Sequence, residues 1–220
     1  MANLVILLVL LGLAVTVTAS AGSQAAFAPI RQGKEQNTVA ITVNVYLGDE
    51  YVREFVDILR NYHITATFFL GGCWVKKHPE TCQILVHNRL CIGSHGYSHL
   101  DHATLDYAAN IRELNRAADI IEEVTGARPT LFAPPSGAYN ADMLKACEDL
   151  GYRVIMWSKD TIDWRDQDVS LIIDRATRNA QSGDIILMHP TAATVAALPT
   201  VIETYHAKGF RFVSVEQMTA

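Results

Sequence analysis

The chain has 220 residues, 50% of them hydrophobic, and a formal net charge of -5. That apolar content at that length suits one globular domain with an ordinary core. The acidic balance argues against nucleic acid, itself a polyanion, as a partner.

The N-terminus reads apart from the rest. Leu4 to Ala19 is apolar and carries no charge. It is short for a membrane span and long enough for the hydrophobic part of an export signal. Two small-x-small sites follow, Ala19-Ser20-Ala21 and Ala26-Phe27-Ala28. Residues 1–28 are therefore expected to be a signal peptide, with an uncleaved N-terminal anchor as the alternative. Export implies a secreted or cell-envelope protein, tied to a membrane only if that N-terminus is kept. Residues 29–37 read as a polar linker, and 38–220 as the domain.

Within the domain, strand-like and helix-like patterns alternate. TVAITVNV (38–45) predicts a strand, and residues 50–62 carry Val52, Phe55, Val56 and Leu59 at helical spacing. ITATFFLGG (64–72) is a strand with a Gly-Gly stop. Residues 78–89 predict a helix with Pro79 in its first turn. LCIGSH (90–95) is the next strand, and 104–126 a long amphipathic helix closed by Gly126. PTLFAPP (129–135) is a short strand broken by prolines, and 140–152 a helix capped by Asn140. RVIMWS (153–158), a helix over 169–183, DIILMHP (184–190), a helix over 194–209 and FRFVSV (210–215) complete the series. Repeated βα units mean a parallel sheet with helices outside it, either a barrel or an open doubly wound sheet. No G-x-G-x-x-G or Walker loop is present, so nucleotide-binding folds lose support.

The four cysteines, Cys73, Cys82, Cys91 and Cys147, contain no C-x-x-C pair, which excludes a zinc ribbon. Cys73 and Cys91 are expected at opposite ends of adjacent strands, so four isolated, mostly buried thiols are expected rather than a bridge between those two.

In parallel α/β folds the site gathers at the C-terminal strand ends. Asn44, His95 with His99, Pro134 to Gly137, Asp160 with Asp163, and His189 all fall there. Two imidazoles four residues apart after a strand suit one divalent metal, or a hydrogen-bonded pair that shapes a loop. Asp163 beside His189 would hold an imidazolium ready to donate a proton, or form a structural ion pair.

The motifs ATFFLGG, GSHGYSH, PPSGAYN, DTIDW and ILMHP occur in one order and spacing. On them residues 38–218 resemble the NodB-like polysaccharide deacetylases, and in particular sporulation-type homologues. The resemblance implies a distorted (β/α) barrel that removes acetyl groups from glycans such as peptidoglycan or chitin, using a divalent metal, zinc. It implies a glycan partner, no nucleic acid, and a monomer. It places His95 and His99 as metal ligands, Asp163 and His189 as the acid dyad, and the backbone N–H of Ser136 as oxyanion donor. Tyr97, Pro135 and Trp164 take substrate-contacting positions.

Two motifs depart from the pattern. The family's T-F-D-D-G aligns with Thr42-Val43-Asn44-Val45-Tyr46, so Asn44 stands at the base position and Val45 at that of the metal-binding Asp. The family's R-P-P-Y-G aligns with Ala133 to Gly137, so the Arg that holds the charged base is absent with it. Removing both charges of a buried pair avoids stranding one of them. The expectations are then a hydrolase with a rebuilt metal site, using Asn44, Asp49 or Glu50, or a catalytically degenerate glycan-binding envelope protein. A purely structural envelope protein is the third. Val45→Asp is expected to restore metal affinity.

Overall fold

The computed structural model describes residues 27–220. The expected signal segment lies almost wholly outside them. No described helix is long and apolar enough to cross a membrane.

β1 (Thr38–Val45) is the centre of the sheet, and all eight of its residues are buried. Its run of Val, Ile and Thr suits a strand covered on both faces. β2 (Thr67–Leu70), β3 (Cys91–Ser94), β4 (Leu131–Phe132) and β5 (Arg153–Val154) extend the sheet on one side. β7 (Ile185–Met188) and β6 (Lys159–Asp160) extend it on the other, and β8 (Arg211–Phe212) pairs with the start of β1. All named pairings are parallel; Thr42 faces Thr67 on β2 and Leu187 on β7.

The helices outside the sheet are α1 (Val52–Asn61), α2 (Gly72–Lys77), α3 (Pro79–His87), α4 (Tyr107–Thr125) and α5 (Ala141–Asp149). α6 (Asp163–Asp166), α7 (Val169–Thr177), α8 (Ala192–Ala207) and α9 (Val215–Met218) follow. α2, β6, α6 and α9 are short elements that the sequence pattern did not announce. The expected stops and caps are present. Gly126 ends α4 at φ 79°, and the Asn140 side chain accepts from Met143 N–H at the start of α5.

The pleat of β1 divides the core. Ile41, Val43 and Val45 join the helix-side cluster with Val52 and Phe55 of α1 and Leu198 and Val201 of α8. Ala40 joins the inner cluster with Phe69, Leu131, Ala133 and Ile185. Gly93 makes room for that interior: a Cβ there would meet the Phe69 ring at 2.5 Å and the Leu131 carbonyl at 3.0 Å.

All four cysteines are free, and Cys73 lies in α2 rather than at a strand end. Burial pushes the Cys82 thiol up to about 11 and that of Cys147 up to about 12, so both stay protonated and unreactive.

The segment expected to be a linker is instead docked on the sheet. Ile30 N–H donates to Val154 O, and Met156 N–H donates to Ile30 O, each at 2.8 Å. Gly33 N–H donates to Gly183 O, and the Gln32 side chain donates to Ser182 O. Ile30 packs on the inner cluster. Residues 30–33 thus run from beside β5 to the residues that lead into β7, two parts of the sheet that β6 does not join. The polar composition that suggested a linker belongs to the outward-facing positions. A chain starting at residue 34 should unfold with a stability at least about 2 kcal/mol below one starting at 27, from three lost backbone bonds and the exposed Ile30. Equal denaturant midpoints would mean the segment contributes nothing.

Candidate functional site

The chemistry-bearing residues do converge on the C-terminal strand ends. His95 follows β3 and is 2% exposed. Its Nδ1 lies 2.7 Å from the Ala133 carbonyl. A carbonyl only accepts, so Nδ1 carries the hydrogen and Nε2 keeps a free lone pair. Burial, and then the neighbouring His99, lowers the His95 pKa to about 3, so the ring is neutral at ordinary pH. The His95 and His99 ring centroids are 5.0 Å apart. The His99 ring lies tilted against Tyr46, with centroids 4.4 Å apart, and burial lowers its pKa as well.

α4 holds the loop that carries these rings. Glu113 accepts from the N–H groups of Tyr97 and Ser98, both at 3.1 Å. Asn110 Oδ1 accepts from His102 Nδ1 at 2.7 Å, and His102 Nε2 is buried without a partner among the described residues. Sequence reasoning missed Asn110 and Glu113. The signal was present for Asn110, which lies on the stripe of Leu114, Ala117 and Ile121 that α4 buries.

The Asp163–His189 pair forms as expected. Asp163 is fully buried at the start of α6. Its Oδ1 accepts from His189 Nδ1, and its Oδ2 from His189 N–H and the Thr194 hydroxyl, all at 2.7 Å. Thr194, in the first turn of α8, is a further residue that sequence reasoning missed. Three donors on one carboxylate hold it in place, and through it the imidazole.

Ser136 is exposed in a tight turn at φ 56°. Gly137 and Ala138 donate their N–H groups to Pro134 and Pro135. The Ser136 N–H has no partner among the described residues. His99 (φ 55°) and Ile162 (φ 52°) share the left-handed conformation. For side chains with a Cβ this costs of order 1 kcal/mol each or more, and such residues concentrate where a site dictates backbone shape.

Of the three expected substrate contacts, Pro135 is buried beside Gly96 of the histidine loop, and Trp164 is 59% exposed. Tyr97 is a correction. Its ring is 8% exposed, packed against Gly72 of α2 and beneath the Arg116 guanidinium of α4 at 3.6 Å. It belongs to the helix layer because alternate residues of the loop point outward.

The end of β1 departs furthest from a hydrolytic centre. Asn44 is 6% exposed, and its Oδ1 is buried with no partner among the described residues. Val45 points the other way, fully buried in the helix-side cluster. Neither loop acid replaces it. Asp49 is held by the Thr81 hydroxyl at 2.7 Å and His78 at 3.2 Å, and the Glu50 carboxylate folds back on Gly48. Among the described residues no three His, Cys, Asp or Glu side chains are grouped to hold a metal ion. Two neutral imidazoles and one amide oxygen do not fit the three-ligand set of a catalytic zinc. For Val45→Asp, expected to restore metal affinity, the buried position of Val45 adds a cost. The change puts a carboxylate among aliphatic side chains, and should lower stability by about 3–5 kcal/mol in chemical denaturation. Unchanged stability with a gain in metal affinity would show that the side chain can turn to the mouth.

The chain belongs to the polysaccharide deacetylase family, whose model matches residues 31–155. Its curled parallel sheet is that family's distorted (β/α) barrel. It is similar to the peptidoglycan-N-acetylglucosamine deacetylase of Bacillus cereus, 31% identical over 194 residues, covering 83% of this chain and 88% of that one. It is also 31% identical over 191 residues to the uncharacterized protein YlxY of Bacillus subtilis, covering 86% of this chain but 60% of that protein's length. Among solved structures, a CE4 family pseudoenzyme from Bacillus anthracis aligns with a TM-score of 0.85 at 33% identity, over 88% of this chain and 69% of that one. A mutant of that pseudoenzyme with restored enzymatic activity aligns at 0.85 with 31% identity.

Proposed function

We propose that this deacetylase-family domain binds an N-acetylated cell-envelope glycan, of peptidoglycan or chitin-like type, and hydrolyses its acetyl groups slowly or not at all. The observation that carries this reading is Asn44, a neutral amide with an unpartnered oxygen at the position of the base.

Hydrolysis of an acetamide needs a proton taken from water, a developing oxyanion stabilised, and a proton given to the leaving nitrogen. For the last task, Asp163 holds the His189 ring through the bond to Nδ1, which leaves Nε2 for the leaving nitrogen. The free Ser136 N–H suits the second, since a backbone donor does not depend on the side chain. For the first, Asn44 has no basic lone pair. Losing a general base typically costs about 100- to 10,000-fold in rate. The Bacillus anthracis pseudoenzyme and its reactivated mutant lend this reading support, because they are similar to this chain along most of its length. A rebuilt metal site is disfavoured by the hydrogen bonds that hold Asp49 away.

The exposed Trp164 indole offers a flat apolar face for a sugar ring. A secreted or envelope location accords with the apolar N-terminal segment and with a peptidoglycan-directed relative.

The test compares the parent with Asn44→Asp and with Asn44→Asp/Ala133→Arg, measuring acetate release from N-acetylated glycan with zinc supplied. The parent should bind chitotetraose and release acetate no faster than about a hundredth of the rate of an active relative. The double variant should be faster than the single one, because the guanidinium pairs with the buried carboxylate. Release by the parent at an ordinary enzymatic rate would refute the proposal.

A further inference from the structure

We propose that Tyr46 is a positioning residue that ties the end of β1 to the histidine loop, the link that a shared metal ion would otherwise make, so that the mouth keeps its shape and binds glycan without metal. The binding consequence rests on the glycan reading above; the tie itself does not.

β2 lies between β1 and β3 in the sheet, so a side chain leaving β1 must cross the end of β2 to reach the loop after β3. Tyr46, the first residue after β1, makes that crossing. Its ring passes over Gly71, directly after β2: a Cβ on Gly71 would meet Tyr46 Cδ2 at 2.9 Å. Gly71 has φ -72° and ψ 131°, angles open to any residue, so what its missing side chain supplies is room for the tyrosine. Beyond Gly71 the Tyr46 ring lies against His99, with centroids 4.4 Å and planes 31° apart, and the hydroxyl donates to Ser98 O at 3.4 Å.

The start of the loop has other supports. The N–H groups of Gly72 and Cys73 donate to the Gly96 and Tyr97 carbonyls, both at 2.9 Å, and Glu113 holds the Tyr97 and Ser98 N–H groups. His99 has none of these. Among the described residues no hydrogen bond from another residue reaches it, and its backbone is left-handed at φ 55°. What fixes its ring is therefore aromatic packing, against Tyr46 and against the His95 ring at 5.0 Å.

A metal held by an acid of β1 and two imidazoles of the loop would link the same two elements. Val45 faces the helix-side core and supplies no ligand, so that link is missing here. Tyr46 stands where T-F-D-D-G ends in glycine, a residue with no side chain to make the crossing. One position loses a ligand, and the next gains a strut. A contact of 3.4 Å is long for an O–H···O bond, so the ring carries the tie more than the hydroxyl does.

The test follows the nuclear Overhauser cross-peak between the His95 and His99 ring protons in the free protein, alongside the affinity for end-labelled chitotetraose by fluorescence anisotropy. The parent should show the cross-peak, and a chelator should change neither it nor the affinity. Tyr46→Phe should keep both, since the ring persists. Tyr46→Ala should lose the cross-peak and bind chitotetraose about three- to tenfold more weakly, the worth of one aromatic pair. Tyr46→Leu, which fills the space without a ring, should behave as Tyr46→Ala does and guards against a folding defect in the smaller variant. A cross-peak unchanged in Tyr46→Ala and Tyr46→Leu would overturn the tie, even where affinity fell, because Tyr46 would then be a direct glycan contact. Loss of the parent's cross-peak or affinity on chelation, restored by zinc, would also overturn it, since metal would be the link. If the cross-peak responds as expected but the parent does not bind chitotetraose, the tie stands and the glycan-binding reading falls.

Discussion

The site hangs on the pleat of β1. This strand is buried on both faces and paired along its length with β2, β7 and β8. Side chains on a strand alternate, and a slip of one residue would turn every aliphatic group toward the interior. The helix-side core of Ile41, Val43 and Val45 therefore fixes the register. That register commits Asn44 to the mouth and Val45 to the core. The absence of acids from the strand end is built into the core packing as well as into the two residues themselves.

Around that fixed strand, the rest of the mouth is assembled from outside. α4 grips the histidine loop through Asn110 and Glu113, and the Asp163 carboxylate gathers β7 and α8 through His189 and Thr194. Left-handed residues at His99, Ser136 and Ile162 aim the three loops. The Asp163–His189 pair thus shares its supports with the fold, and removing them would leave buried polar groups unpaired.

The alternation of elements was legible because each main strand and helix carries its own period. Pro79, Gly126 and Asn140 marked boundaries that the backbone keeps. The site residues were legible as motifs, and the Asp163–His189 pairing followed from them. What stayed hidden depends on long-range contacts. Residues 30–33 look like a polar linker until Val154 and Gly183 are beside them. Tyr97 looks like a glycan contact until Arg116 covers it. Thr194 and Glu113 have roles set by partners 31 and 15 or 16 residues away. Asp49 reads as a spare ligand until Thr81 and His78 occupy it.

Strand β1 presents no acid to the mouth, so no third His, Cys, Asp or Glu among the described residues joins His95 and His99. Zinc content of the parent protein, measured after dialysis against a mild chelator, tests it most directly. Two imidazoles leave most coordination positions to water, so zinc should fall far below one equivalent per chain. One zinc retained per chain through dialysis would contradict it.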